Sequence, residues 1–285
     1  MNEVFTAACV QMNTGDDLEA NVADAMAGIR EAASKGARFV ATPENTTMIV
    51  KGRAAILAKA LPEAEHPAMT AFASLAEELG IWLLIGSLTV KLNAEKAANR
   101  SLLFAPEGGL AARYDKIHMF DVDIPDGQSY RESSTFRPGG ETALVELPWG
   151  KLGMTVCYDM RFPALYRAYA QAGARFLTVP SAFTRFTGEA HWHVLLRARA
   201  IETGCFVIAP AQCGTHAGGR QTYGHSLIVA PWGEVLADGG TDPGVVTAEI
   251  DPARVTEARR MVPSLAGDWT FSPPGTDAGP LRAVN

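Results

Sequence analysis

The chain is predicted to fold as an α/β protein, with mixed β-sheet covered by helices. Three observations carry this reading. Strand-like and helix-like segments alternate along the chain. Several of the strand candidates are nearly continuous apolar runs, the pattern of strands buried on both faces. A hairpin signal at Pro106-Glu107-Gly108-Gly109 adds antiparallel pairing, which makes the sheet mixed.

The elements follow in order. Val4–Gln11 is a buried first strand, and Asp17–Lys35 an Ala-rich helix stopped by Gly36 just past its end. Arg38–Thr42 is a short apolar strand. A helix over about Pro67–Leu79 is closed by Gly80. Trp82–Thr89 and the folded segment Ser101–Tyr114 supply further strands. The second half repeats the theme: strand Leu152–Val156, helix Pro163–Ala172, strand Phe176–Val179, helix Ala190–Thr203. Strands Cys205–Ala209, Ser226–Ala230 and Val245–Ile250 follow, with a turn at Pro231-Trp232-Gly233. No linker-like stretch and no fixed repeat divides the chain. Residues 1–271 are therefore expected to form a single domain, and the Pro- and Gly-rich residues 272–285 an irregular tail.

Composition narrows the function. The 285 residues are 47% apolar and 20% charged, with a net charge of -6 and no compensating Lys/Arg cluster. That argues against a nucleic-acid or anionic-membrane partner. The longest apolar runs, such as Ile81–Ile85, fall far short of the roughly 20 residues that span a bilayer. The N-terminus lacks the basic start and apolar core of a secretory signal. Cys9, Cys157, Cys205 and Cys213 form no CxxC pair and no dense framework, so reduced thiols and a cytoplasmic location are expected.

Chemistry is suggested where buried strands end abruptly at polar or nucleophilic residues: Thr42-Pro43-Glu44, Val156-Cys157 and Val179-Pro180-Ser181. In open α/β sheets the carboxyl ends of strands form the ligand crevice, so Glu44, Cys157 and Ser181 are expected to meet there. Cys157 has two readings. It is a core cysteine, or a nucleophile whose thiolate is favoured by the helix starting at Pro163 and by a nearby cation. In the second reading the Tyr158 amide lies beside it as an oxyanion donor. Glu44 is either a capping carboxylate or a base with a pKa raised by shielding from water. Lys116 is either a solvated lysine or the cation that meets a developing oxyanion. None of the six histidines has flanking residues typical of a Cys–His protease. His191 and His193, two apart at a helix start, point to different faces and make a poor metal pair.

The combination resembles the carbon–nitrogen hydrolase (nitrilase) superfamily along nearly the whole chain. Glu44 follows the second strand, Lys116 stands in Tyr114-Asp115-Lys116-Ile117-His118, and Cys157 in Cys157-Tyr158-Asp159-Met160-Arg161-Phe162-Pro163. The family order and all three contexts match. The resemblance implies a four-layer α-β-β-α sandwich and a second glutamate after the lysine, here Glu132, that holds Lys116 and the leaving group. It is closest to the Nit-type amidases, whose hallmarks recur in Phe120-Asp121-Val122-Asp123-Ile124-Pro125, Pro180-Ser181-Ala182-Phe183 and Tyr223-Gly224-His225-Ser226. Tyr158, where true nitrilases carry Trp, speaks for an amide rather than a nitrile.

The implied reaction is hydrolysis of a small carboxamide through a Cys157 thioester, with no cofactor and no metal. The implied substrate class is that of deaminated glutathione or of 2-oxoglutaramate, an amide at one end and an anionic 2-oxo acid at the other. Arg161 is then expected to grip the substrate carboxylate, with Phe183 and Thr187 lining the pocket. A homodimer or larger assembly is implied, built through the helix Ala190–Thr203 and the helix after Cys157. An N-carbamoyl hydrolase is the neighbouring alternative within the family. A catalytically silent binding protein on the same fold is the alternative outside catalysis, and the four intact residues argue against it.

Overall fold

The computed structural model describes residues 3–124 and 129–267. Pro125 and the expected tail, residues 272–285, lie outside the described residues. The first half contains β1 (Phe5–Gln11), α1 (Leu18–Ser34), β2 (Ala37–Ala41), α2 (Arg53–Lys59), α3 (Pro67–Leu79), β3 (Trp82–Lys91), β4 (Ala97–Phe104) and β5 (Leu110–Asp115). A small ribbon of β6 (Asp121–Asp123) and β7 (Ser129–Arg131) leads to β8 (Ala143–Leu147) and β9 (Gly150–Met154). Then come α4 (Pro163–Gln171), β10 (Ala174–Thr178), α5 (Arg185–Thr203) and β11 (Phe206–Ala209). A second ribbon, β12 (Cys213–Thr215) and β13 (Gln221–Tyr223), precedes β14 (Leu227–Val229), β15 (Val235–Asp238), β16 (Gly244–Ile250) and α6 (Ala253–Met261).

Two six-stranded mixed sheets result, in the orders β16-β1-β2-β3-β4-β5 and β15-β14-β11-β10-β9-β8. The central strands β1, β2 and β3 of the first are parallel, as are β9, β10 and β11 of the second. Antiparallel strands complete both. Helices α1 and α3 cover the outer face of the first sheet, where Ile29, Phe72 and Leu75 pack on Val10, Val40 and Leu83. On the outer face of the second, α4 and α5 supply Tyr166, Trp192 and Leu196. The inner faces meet each other. Phe5 of β1 stacks on Trp149 at 3.8 Å between ring centroids and meets Phe176 of β10 edge-on at 5.6 Å. The layers run α-β-β-α, as the resemblance implies.

Local signals explain the elements. Asp17 caps α1 by accepting from the Ala20 amide at 2.9 Å, and Ala25, Ile29 and Ala32 form its buried stripe. Burial of Ile29 contributes about 1.5–3 kcal/mol, and the two alanines let the helix approach the sheet closely. Helix α3 starts at Pro67, where a missing amide hydrogen costs nothing, and Gly80 follows it in the left-handed region.

Three departures from the sequence reading are informative. Helix α5 starts at Arg185, five residues before Ala190, because Gly188 does not break it. That glycine makes room for a side chain, since a Cβ there would lie 2.4 Å from Cβ of Tyr223. Helix α6 escaped the pattern because only Val255 and Ala258 of its polar sequence are buried. The exposed or half-exposed edge strands β8 and β15 carry similarly weak alternation. Among the described residues no helix is long and apolar enough to cross a membrane.

One close approach sets up the site. A Cβ on Gly86 of β3 would lie 2.1 Å from the Thr42 carbonyl oxygen and 2.5 Å from Cβ of Pro180. Only a residue without a side chain lets the end of β2 and the end of β10 converge here.

Candidate active site

At this convergence a cleft of about 710 Å³ opens, with Glu44, Lys116, Glu132 and Cys157 in its wall. Glu44 comes from the carboxyl end of β2 and Lys116 from the residue after β5, both in the first sheet. Cys157 follows β9 of the second sheet, and Glu132 opens the turn after β7.

Lys116 is the hub. Its side chain is 2% exposed, and its Nζ donates to Glu44 Oε1 at 2.9 Å and to Glu132 Oε1 and Oε2 at 3.0 and 2.8 Å. Asn99 of β4 ties the same two carboxylates together, donating from Nδ2 to Glu44 Oε1 at 2.9 Å and to Glu132 Oε1 at 3.1 Å. Backbone amides fix the far oxygens. Ala182 donates to Glu44 Oε2 at 2.8 Å and Phe120 to Glu132 Oε2 at 2.7 Å. The carboxylates are thus saturated by donors, the requirement for keeping charge inside a protein.

The electrostatics correct two expectations. Burial pushes the Glu44 carboxyl up, but Lys116, Arg220 and the Ala182 amide together hold it below the ordinary carboxylate range. The raised pKa expected from shielding alone is overturned by these donors. Cys157 moves the other way: burial, then the Glu44 carboxylate, push the thiol above its usual value, with Lys116 opposing. The thiol is therefore neutral at rest, and no standing thiolate is stabilised by the helix at Pro163. Burial pulls Lys116 down, but Glu132 and Glu44 dominate and raise it, so it stays protonated.

Cys157 sits on a strained turn. Cys157 has φ of 49°, in the left-handed region that side chains other than Gly rarely occupy, and Cys157–Arg161 form a single 3-10 turn. Its amide donates to Pro180 O at 3.0 Å, which pins it to the end of β10. Tyr158, the next residue of that turn, lines the same cleft as Cys157.

One buried carboxylate ties the cysteine turn to the lysine strand. Asp159 Oδ2 accepts from the Val156 amide at 2.9 Å and from the Tyr114 hydroxyl at 2.7 Å. Its Oδ1 accepts from the His118 amide at 3.0 Å and faces His118 Nδ1 at 2.7 Å. The residues flanking Lys116 and Cys157 are therefore structural partners of each other. Asp115, the other flanking acid, pairs bidentately with Arg100 at 2.7 and 2.9 Å.

The remaining predicted residues divide. Phe183 and Thr187 line the cleft, Phe183 also packing on Trp192 with centroids 5.1 Å apart. Ser181 does not reach it: its hydroxyl turns back to Val179 O at 3.0 Å, and the next residue, Ala182, faces Glu44 instead. Arg161 packs against two of the aromatic residues of the cleft wall. Its guanidinium lies over the Phe183 and Tyr158 rings, 5.3 and 6.0 Å from their centroids, and donates to His191 Nδ1 at 3.2 Å. It is not among the residues that line the cleft, although both rings that it covers are.

Sequence reasoning missed Asn99, Ala182 and Arg220. Asn99 lay inside a strand whose start was placed four residues late. Ala182 acts through its backbone, which no residue identity reveals. Arg220 sits in the Gly-rich turn before β13 with no local pattern to mark it. Among the described residues, His193, His225 and Asp238 bring three metal-type donors within 4.8 Å of one another. They stand outside the cleft wall, and the carboxylate already joins His193 Nε2 at 3.0 Å and His225 Nδ1 at 2.9 Å.

Comparison with known proteins agrees with this geometry. The family model described as carbon–nitrogen hydrolase matches residues 6–260. The chain is 41% identical over 271 residues to the deaminated glutathione amidase of Synechocystis sp., covering 92% of this chain and 97% of that protein. The crystal structure of the C. elegans NitFhit protein superposes with a TM-score of 0.87 at 37% identity, covering 94% of this chain. This chain spans only 65% of that longer protein. An amidase from Nesterenkonia sp. AN1 superposes at 0.76 with 26% identity, covering 90% of this chain and 98% of that one. Its structure, solved as a Glu-to-Gln mutant, shows acrylamide added to the active-site cysteine.

Proposed function

We propose a function from one premise: this chain belongs to the carbon–nitrogen hydrolase family. It is an amidase, a hydrolase of carbon–nitrogen bonds. Our reading is that Cys157 is the nucleophile, Glu44 the base, Lys116 the cation that meets the oxyanion and Glu132 its holder. The substrate is a small ω-amide of an anionic 2-oxo acid, of the deaminated glutathione or 2-oxoglutaramate kind. The observation that carries this is the buried Lys116 ammonium held between Glu44 and Glu132 in the same cleft as Cys157.

The steps follow from the geometry. Glu44, ionised, takes the proton from Cys157 as the sulfur attacks the amide carbon, so no free thiolate need accumulate. Negative charge moves to the amide oxygen, where the Tyr158 amide and one hydrogen of Lys116 receive it. Lys116 already spends its hydrogens on two carboxylates, so this contact is made by releasing one oxygen of Glu132. The carbon–nitrogen bond breaks, and protonated Glu44 gives its proton to the departing amine, leaving a thioester. Water then loses a proton to Glu44 and attacks the thioester carbon. The carbon–sulfur bond breaks, the sulfur takes the proton back, and the acid leaves.

The same reading includes a reducing, cytoplasmic setting, supported by four free cysteines. It also includes a homodimer, supported by Phe186, Val194 and Ile201, exposed on α5 at 49%, 66% and 54%. The test is release of amine or ammonia from deaminated glutathione and 2-oxoglutaramate, comparing the wild type with Cys157→Ala. Release that requires Cys157 supports the scheme, and turnover retained without the thiol refutes it.

A further inference from the structure

We propose that His193, His225 and Asp238 hold a divalent transition-metal ion of the zinc class, on the flank where α5 meets the strands of the second sheet. The site is separate from the cleft, whose wall contains none of the three, and it is independent of the reaction assigned to Cys157. Among the described residues this is the one group of three or more His, Cys, Asp or Glu whose ligand atoms converge, all within 4.8 Å of one another. His191 and His193, the neighbours in sequence, do not make the pair. His193 meets His225 instead, 32 positions further along.

The three ligands come from three elements, and each is held. His193 is on α5, His225 on the turn between β13 and β14, and Asp238 at the end of β15. Trp192, buried beside His193, donates from Nε1 to the His225 carbonyl at 2.7 Å. The His225 amide donates to Gly240 O at 2.6 Å, and the Gly240 amide donates to Asp238 Oδ1 at 2.9 Å. The Tyr223 ring stacks on the His225 ring with centroids 4.4 Å apart. His225 has φ of 54°, a left-handed backbone uncommon outside glycine, and strain of this kind gathers at ligand-binding positions.

Asp238 spans the two rings, with Oδ2 3.0 Å from His193 Nε2 and Oδ1 2.9 Å from His225 Nδ1. Among the described residues no lysine or arginine forms an ion pair with it, so its charge faces two imidazoles and no permanent cation. Two imidazole nitrogens and a carboxylate oxygen suit zinc, nickel or copper better than magnesium or calcium. Bonds of about 2.0–2.2 Å set tetrahedral ligands about 3.3–3.5 Å apart, so the widest pair here closes by at most about 1.5 Å. Each ring nitrogen gives the metal a lone pair, its proton passing to the other ring nitrogen or to water, and one carboxylate oxygen gives the third. The side chains of His193, His225 and Asp238 are 33%, 22% and 35% exposed, so the ion can enter and water can complete the tetrahedron. Bound there, it clasps α5 to the strands beside it and adds its binding energy to folding.

The test uses the untagged full-length chain carrying Cys157→Ala, dialysed against a chelator, so that neither a polyhistidine tag nor the cleft thiol competes for metal. Zinc chloride is titrated in by calorimetry, and copper(II) is added separately for electron paramagnetic resonance. One zinc ion per chain should bind, and the copper spectrum should show coupling to two imidazole nitrogens. His193→Gln, or His225→Asn, which tolerates the left-handed backbone, should leave one nitrogen. Each should weaken zinc by more than about 100-fold, since even an outer-shell partner is worth about 10- to 100-fold. Asp238→Asn should weaken zinc and keep both nitrogens. Melting followed by circular dichroism should show a Tm that rises with zinc in the parent and does not in His193→Gln. Absence of stoichiometric zinc in the parent, or a copper spectrum with fewer than two nitrogens, overturns the proposal. So does zinc binding that all three substitutions leave unchanged, because the ion would then sit elsewhere.

Discussion

Replacing Lys116 by Met removes the cation from the centre of the site while roughly keeping its volume. In the wild type each of its contacts with Glu44 and Glu132 is 2.8–3.0 Å long, in a side chain 2% exposed. Breaking a buried pair by removing one partner costs about 3–5 kcal/mol, because the carboxylate left behind is buried without its counter-charge. The loss also carries a sign in pH. With Lys116 present, Glu44 is held below its ordinary range, so its contribution exists above the unfolded carboxyl pKa and is lost as pH falls through the folded one. Without Lys116, burial dominates and the folded pKa rises. The penalty is then full at high pH and is relieved as pH drops and Glu44 takes up a proton. Each unit of rise corresponds to about 1.36 kcal/mol. Urea unfolding followed by circular dichroism should therefore show a loss of about 3–5 kcal/mol near pH 8 and at least about 1 kcal/mol less near pH 5.5. A loss below about 1 kcal/mol, or the same loss at both pH values, refutes the argument that this lysine holds two charges in place.

Two further predictions follow from the same geometry. Because Glu44 lies below and both Cys157 and Lys116 above their ordinary values, kcat/KM should be flat between about pH 6 and 8.5. A pH–rate profile that bends near the ordinary thiol pKa, about 8.5, would show that Cys157 titrates as an exposed cysteine. Asp159→Asn should cost about 2–4 kcal/mol, since an amide cannot accept from all the donors that surround this carboxylate. As a positioning residue, Asp159 should affect kcat more than tenfold with little change in KM, and a change confined to KM would contradict that role.

Much of the fold was legible because its central strands are apolar runs too short for anything else. Helix ends at Gly36 and Gly80 were legible from their stop signals. What escaped lay where signal and burial part company: the polar helix α6, the edge strands, and the first turn of α5 behind Gly188. That Glu44, Lys116 and Cys157 share one cleft was legible from their contexts, and that Glu132 joins them from the family resemblance. Their ionisation was not, because it depends on partners from other elements, such as Asn99 and the Ala182 amide. Sequence distance is no guide to the cleft wall either: Arg161, four residues from Cys157, lies against two aromatic rings, while Arg220, 63 residues from Cys157, lines the cleft.

The missing side chain at Gly86 makes the catalytic centre a seam. One sheet contributes Glu44 and Lys116, the other contributes Cys157 and Ala182, and the space left by Gly86 lets Thr42 and Pro180 approach the same point between them. A reaction that requires atoms from both sides records how tightly the halves are clasped. Parting the halves by about 1 Å would cost such a site on the order of 100-fold in rate, while every helix and strand is still in place.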